Sequence, residues 1–205
     1  TTTFGLVLGL SRDAASGDWP EVGELAAGEV GEITVAGPTA TDQYFGREAA
    51  TRLAKIRERL DDGSERVVHR MGDLGYFDAQ GRLWFCGRKT QRVITDAATT
   101  LFTEQVEPIF NALPWMRRSA LVGIGPRGAQ RPVLVYELER AAMGRGRFDA
   151  PAELRDLAAR RPHTATIAAF MRYPKPLPVD IRHNAKIGRV ALAAWAGRQP
   201  LQGRA

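Results

Sequence analysis

The residues best suited to chemistry lie near the end of the chain, in residues 178–189, PVDIRHNAKIGR. Lys186 sits there in a polar turn with His183, Asn184 and Ala185, after the proline-rich run YPKPLP at residues 173–178. The chain carries 25 arginines but only four lysines, Lys55, Lys89, Lys175 and Lys186. A lysine is a compact point charge, whereas arginine is a planar fork. One kept in an arginine-rich chain hints that a compact ammonium was wanted there, and such a cation can stabilise charge developing at one atom of a reacting group. His183 stands beside it with an imidazole, a side-chain type that can titrate near neutrality. A second group is HRMGDLGYFDAQGRLWFCGRK, residues 69–89, where Asp73 offers an acceptor-only carboxylate and Arg88 a permanent cation. Taken singly, Asp73 reads as a turn former, Arg88 as a strand-end surface arginine and Lys186 as a solvated loop lysine. Their order along the chain carries more.

The elements that must position these residues divide into two stretches. Residues 28–37, GEVGEITVAG, alternate apolar Ile33 and Val35 with polar neighbours and predict a strand. Ala49, Leu53, Ile56 and Leu60 recur at three-to-four spacing and predict a helix over residues 48–60, stopped by Asp61-Asp62-Gly63-Ser64. A hairpin is expected from residues 72–77 through the turn Asp78-Ala79-Gln80-Gly81 to residues 83–86. Beyond Arg88 the pattern changes. A short strand over residues 92–95 precedes a helix across residues 107–113, where Pro108 is tolerable only in the first turn. Strands are expected at residues 119–125 and 133–138, and a helix opens at Asp149-Ala150-Pro151 with Leu154, Leu157 and Ala158 inward. Residues 167–173 fit a strand or a helix end, and a last amphipathic helix covers residues 189–197. The expected fold class is α+β, with a β-rich portion over residues 1–88 and a small α+β domain over residues 89–205.

Composition narrows the functional classes. Hydrophobic residues make up 44% and charged residues 25% of the 205, ordinary values for a globular chain. No apolar run approaches the roughly 18 residues of a membrane span. The one cysteine, Cys86, leaves no internal disulfide framework and fits a reducing cytoplasm. Between its aromatic and glycine neighbours it reads as a small core residue rather than a nucleophile. The net charge of +6 could attract nucleic acid, yet the arginines are scattered and no basic-aromatic alternation or zinc-ligand spacing accompanies them. No nucleic-acid partner and no metal-ligating residues are expected. Arginine-rich coding bias plus an anionic small-molecule ligand accounts for the charge.

Four segments occur in a telling order: GEITVAGPTATDQYFGREAAT (residues 31–51), residues 69–89, the helix at Glu107 and the Lys186 turn. This order resembles the C-terminal part of the adenylate-forming superfamily, which includes acyl-CoA synthetases, luciferases and peptide-synthetase adenylation domains. The resemblance covers roughly residues 24–198. It implies that Asp73 accepts hydrogen bonds from the ribose hydroxyls of ATP, with Arg88 backing the same ribose. It implies that Lys186 bridges the substrate carboxylate and the α-phosphate when the small domain closes, and that the hinge falls at Thr90. ATP and Mg2+ are the implied cofactors, and a carboxylic acid the implied substrate.

The chain also departs from the superfamily pattern. The hinge position, usually Asp or Lys, is Thr90 here, which puts the swing that precedes thiol transfer in doubt. The usual Ser-Gly-Lys is Asn184-Ala185-Lys186, which implies a less mobile loop. The glycine-rich phosphate loop and the aromatic-Gly-x-Thr-Glu segment are absent, so these residues look like the C-terminal piece of a longer enzyme and are not expected to adenylate alone. As whole strings, residues 69–89, LFTEQVEPIF and PVDIRHNAKI are most similar to the β-lactone synthetases of bacterial long-chain olefin biosynthesis. That similarity implies a long-chain 2-alkyl-3-hydroxy acid as substrate, with His183 a candidate general base for its hydroxyl, and association with other enzymes of the pathway. A long-chain acyl-CoA or acyl-AMP ligase and a non-catalytic basic binding module are the alternatives.

Overall fold

The computed structural model describes residues 5–10, 23–38, 40–142, 149–180 and 186–200. The chain divides between Thr90 and Gln91 into two units. In the first, β1 (Gly5–Leu10), β2 (Gly23–Glu24), β3 (Gly31–Ala36), β4 (Lys55–Arg59), β5 (Glu65–Phe77) and β6 (Leu83–Arg88) form one sheet among the described residues. The order is β2-β1-β3-β5-β4, β6 also pairs with β5, and every pairing is antiparallel. At 13 residues, β5 is long enough to hold β4 along its first half and β6 along its second, with β3 on its other edge. The apolar seam is the cross-strand row Ala36, Val68 and Ile56. Burying a branched side chain such as Ile56 stabilises by about 1.5–3 kcal/mol over leaving it exposed.

The helix predicted over residues 48–60 is shorter than its spacing suggests. It ends as α1 (Glu48–Ala54), and the next five residues are β4. Ile56 pairs opposite Val68 and is fully buried, whereas Leu53, on the expected inward face, is exposed. α1 buries no residue of its own, and so short a helix has little intrinsic stability. Strand pairing wins. The β5–β6 hairpin forms as expected, around Asp78. Its carboxylate accepts the N–H groups of Gln80 and Arg82, the Arg82 guanidinium at 2.6 Å and the Trp84 indole N–H at 2.8 Å. The Trp84 bond, with those of Arg82 and Gln80, holds the Asp78 carboxyl at about 2.

The second unit begins with the small hairpin β7 (Val93–Ile94) and β8 (Thr100–Leu101), followed by α2 (Thr103–Asn111). Then come β9 (Met116–Ile124), β10 (Arg131–Leu138), α3 (Ala150–Ala159), α4 (Pro162–Ala165), β11 (Ala169–Arg172) and α5 (Arg189–Ala196). β10 is central, antiparallel to β9 and parallel to β11. Its side chains alternate between two cores, as strand geometry requires. Leu134, Tyr136 and Leu138 pack with Val106, Phe110 and Leu154 of the α2 and α3 layer. Val133 and Val135 pack with Leu177, Leu192 and Ala196 of the α5 layer. The mixture of sheets and helices is α+β. Residues 169–172 resolve as strand rather than helix end. Pro108 corrects a second expectation, because it lies inside α2 and not in its first turn. The bond it cannot make is to the carbonyl of Glu104, and both residues are exposed, so water can satisfy that oxygen.

Candidate active site

Asp73 and Arg88 are brought together by an irregular stretch of β5. Between the pairs Glu32–Leu74 and Thr34–Arg70, β3 advances two residues while β5 advances four, so residues 71–73 form a bulge. Gly72 makes it possible with a φ of +69°, a left-handed value at which a side chain is strained. Bulges of this kind re-aim side chains next to active sites. Asp73 then pairs directly with Arg88 of β6, and Arg88 Nη1 donates to the Met71 carbonyl inside the bulge at 3.2 Å. Arg88 Nε lies 3.1 Å from Asp73 Oδ1, but the approach is not aligned as a hydrogen bond. Oδ1 is therefore a buried oxygen with hydrogen-bonding capacity to spare. A buried acceptor left open is costly unless a ligand closes it. This is a fitting place for hydroxyl donors of a ligand.

A carboxylate with cationic partners lies on the adjacent strand. Glu32 Oε2 accepts Arg70 Nη2 at 2.7 Å and Lys89 Nζ at 3.1 Å. Burial pushes the Glu32 carboxyl up, but the bonds from Arg70 and Lys89 outweigh it and hold it below its ordinary value. Lys89, the residue after Arg88, is thereby fixed to β3, while Thr90 next to it is exposed. Sequence reasoning missed Glu32. In an alternating strand it reads as one more solvent-facing polar residue.

Lys186 stands at one leg of a narrow hairpin. Val179 and Ile187 form a β-bridge, Asp180 N–H donates to the Lys186 carbonyl at 2.8 Å, and Gly188 N–H donates to the Pro178 carbonyl at 2.7 Å. The Lys186 side chain is exposed. His183 lies outside the described residues. Beyond the hairpin, Arg189 Nη2 donates to Glu107 Oε2 at 3.0 Å and Arg189 Nε to Gln91 Oε1 at 3.2 Å. Burial outweighs these bonds at Glu107 and raises its carboxyl above the ordinary value. Cys86 is buried, as a small core residue should be. His69 is half-buried with Nδ1 3.2 Å from the Ala54 carbonyl, and burial, then the nearby Lys55 charge, lowers its pKa. Among the described residues no group of three His, Cys, Asp or Glu side chains is arranged to hold a metal ion. No helix among them is long and apolar enough to cross a membrane.

A fold of this form is shared with solved adenylate-forming ligases. An amide bond synthetase from Marinactinospora thermotolerans superposes with a TM-score of 0.68, 22% identical, over 94% of this chain and 34% of its own. An o-succinylbenzoate CoA synthetase from Bacillus subtilis, solved with an acyl-adenylate intermediate, does so with a TM-score of 0.68 at 22% identity, over 98% and 35%. The same enzyme has been solved with ATP and a magnesium ion. The fold is that of the C-terminal part of such ligases.

Sequence similarity is more specific. The chain is 64% identical over 187 residues to an olefin beta-lactone synthetase of Xanthomonas campestris, covering 91% of this chain and 33% of the relative. It is 61% identical over 190 residues to the olefin beta-lactone synthetase of Stenotrophomonas maltophilia, with the same coverage. A 2-succinylbenzoate–CoA ligase of Bacillus cereus is 34% identical over 94 residues, covering 46% of this chain and 17% of the ligase. The chain thus spans about a third of the length of the curated synthetases it matches. No family model matches it.

Proposed function

We propose that these residues form the C-terminal part of an ATP-dependent, AMP-forming acid-activating ligase whose product is a β-lactone. The observation that carries this reading is the 64% identity to an olefin beta-lactone synthetase across nine-tenths of the chain. The first unit is then the end of a large adenylation domain and the second a small mobile one. Asp73 accepts the ribose hydroxyls of ATP through its open oxygen, and Arg88, anchored to Met71, lies beside the same ribose. Lys186 supplies a cation to the substrate carboxylate and the α-phosphate. Its charge matters most as an oxygen of the carboxylate bonds to phosphorus and the bond to pyrophosphate breaks. The units turn about exposed Thr90, whose neighbours are each held within their own unit, Lys89 by Glu32 and Gln91 by Arg189. ATP and magnesium are the cofactors, and the described residues contribute no metal cluster of their own. The cytoplasm is the proposed compartment, because a sequence with one cysteine offers no internal disulfide framework.

The substrate under this reading is a long-chain 2-alkyl-3-hydroxy acid. After adenylation its own 3-hydroxyl oxygen bonds to the acyl carbon, the bond to AMP breaks, and the hydroxyl proton passes to a base, for which His183 is the candidate. A tethered nucleophile loses little entropy in reaching the acyl carbon. The test uses the intact enzyme with ATP, magnesium and the hydroxy acid, followed by mass analysis with and without coenzyme A. AMP and a β-lactone without any thiol are expected, and the 3-deoxy acid should stall at the acyl-adenylate. A thioester from a plain fatty acid, with no lactone from the hydroxy acid, would transfer the assignment to an acyl-CoA ligase.

A further inference from the structure

The Lys186 hairpin has two legs, and each is tied to a buried carboxylate. On the entering leg, Leu177 N–H donates to Glu137 Oε2 at 3.0 Å, and Leu177 and Glu137 are 3% and 5% exposed. Arg117 Nη1 lies 2.9 Å from the other oxygen of Glu137 and balances its charge. On the leaving leg, Arg189 follows Gly188 directly and forks onto Glu107 through Nη1 and Nη2. Glu107 is fixed in turn, because its Oε1 accepts the Leu121 N–H of β9 at 2.8 Å. Between the two anchors the legs are joined by the Val179–Ile187 bridge and the Gly188–Pro178 hydrogen bond. Glu137 belongs to β10 and Glu107 to α2, so the ties come from two different elements of the second unit.

A buried carboxylate is costly unless it is fully bonded, and apolar residues of similar size often stabilise as well or better. Stability alone therefore does not explain two such groups beside one pair of bridged segments. Function does, because a reacting group must be held closely in place by a supporting layer on rigid elements.

We infer that Glu137, Glu107 and Arg189 are positioning residues for Lys186, fixing the base of its hairpin to β9, β10 and α2 so that the ammonium meets the reacting carboxylate and phosphate in register. The inference rests on the role proposed for Lys186.

The test measures single-turnover pyrophosphate release and ATP affinity in the intact enzyme. The variants are Arg189→Ala, Arg189→Lys and Glu137→Gln, each made alone and on a Lys186→Ala background. A misplacement of about 1 Å can cost about 10²-fold in rate. Arg189→Ala is expected to slow release about 10- to 100-fold with ATP affinity changed less than about twofold, and Arg189→Lys to recover part of the loss. On the Lys186→Ala background the same substitutions should add less than about twofold, because residues acting only through one group are not additive with its removal. A general structural lesion would slow both backgrounds alike. Equal losses on the two backgrounds, or wild-type release by all three variants, would overturn the positioning role while leaving Lys186 in place. Wild-type release by Lys186→Ala itself would overturn the lysine assignment and this inference with it. Should Arg189→Ala fail to fold, the two milder variants carry the same comparison.

Discussion

Asp73 and Arg88 face each other across β5 and β6 with 3.1 Å between Oδ1 and Nε, yet the buried oxygen keeps its hydrogen-bonding capacity open. The contrast with Glu32, whose oxygen is taken up by Arg70 and Lys89, shows that the same sheet can close such a group when closure is wanted. Asp73→Ala should therefore weaken ATP binding by the hydrogen bonds lost, about 1.5–3 kcal/mol for bonds to a charged group. Arg88→Ala should weaken it less, because that side chain is half exposed and partly engaged with Met71. Calorimetric titration of ATP against the intact variants checks both. Unchanged affinity in Asp73→Ala would return the residue to a turn-forming role.

Gly72 is the backbone device beneath that pair. A Cβ there would meet nothing closer than Arg88 Nη1 at 4.0 Å, so Gly72→Ala is opposed by its φ of +69° and not by crowding. The cost of a left-handed non-glycine residue is about 1–2 kcal/mol. Urea unfolding should show a destabilisation of that order, and ATP affinity should fall as the bulge that aims Asp73 relaxes. Wild-type stability together with wild-type affinity would mean that the bulge is incidental.

Lys186→Ala in the intact enzyme should slow adenylate formation about 10²-fold or more with little change in ATP affinity. A cation acting on charge that develops only in the transition state affects the rate and spares the ground state. Pyrophosphate release under single-turnover conditions is the measurement. A near-normal rate would remove Lys186 from the chemistry.

What the sequence disclosed and what it hid follow from the range of the interactions. The β5–β6 hairpin was legible because Asp78 and Gly81 build its turn within a few residues. The α3 start was legible for the same reason, Asp149 accepting the Ala152 N–H. Strand β4 was not, since Ile56 fits helical spacing along the chain and is drawn into the sheet only by Val68, twelve residues on. The buried carboxylates of each unit were hidden more deeply. Glu32 meets Lys89 57 residues away, Glu107 meets Arg189 at 82, and Glu137 meets Leu177 at 40. A charged residue among apolar neighbours reads as solvent-facing until such a partner is in place.

Acid should separate the two units. Glu32 is held below its ordinary value, so its contribution to stability is complete above about 4.5 and is lost as pH falls through the folded value. The lowered His69 acts in the same direction within the first unit, as do Asp62 and Asp78, although solvent screens the effect of these two aspartates. Glu107 is raised, and the sign reverses. Its contribution is complete below the unfolded value and is lost as pH rises through the folded one. In the second unit Asp96 opposes it, but from an exposed turn where solvent screens the effect. As pH is lowered from 7 towards 3, amide exchange should accelerate first in β3 and β5, while β9 and β10 remain protected. Glu32→Gln removes the principal buried titrating group of the first unit, so that unit should begin less stable at pH 7 and lose less on acidification. Simultaneous loss of protection in both units, or an acid response unchanged by Glu32→Gln, would show that Glu32 does not govern it.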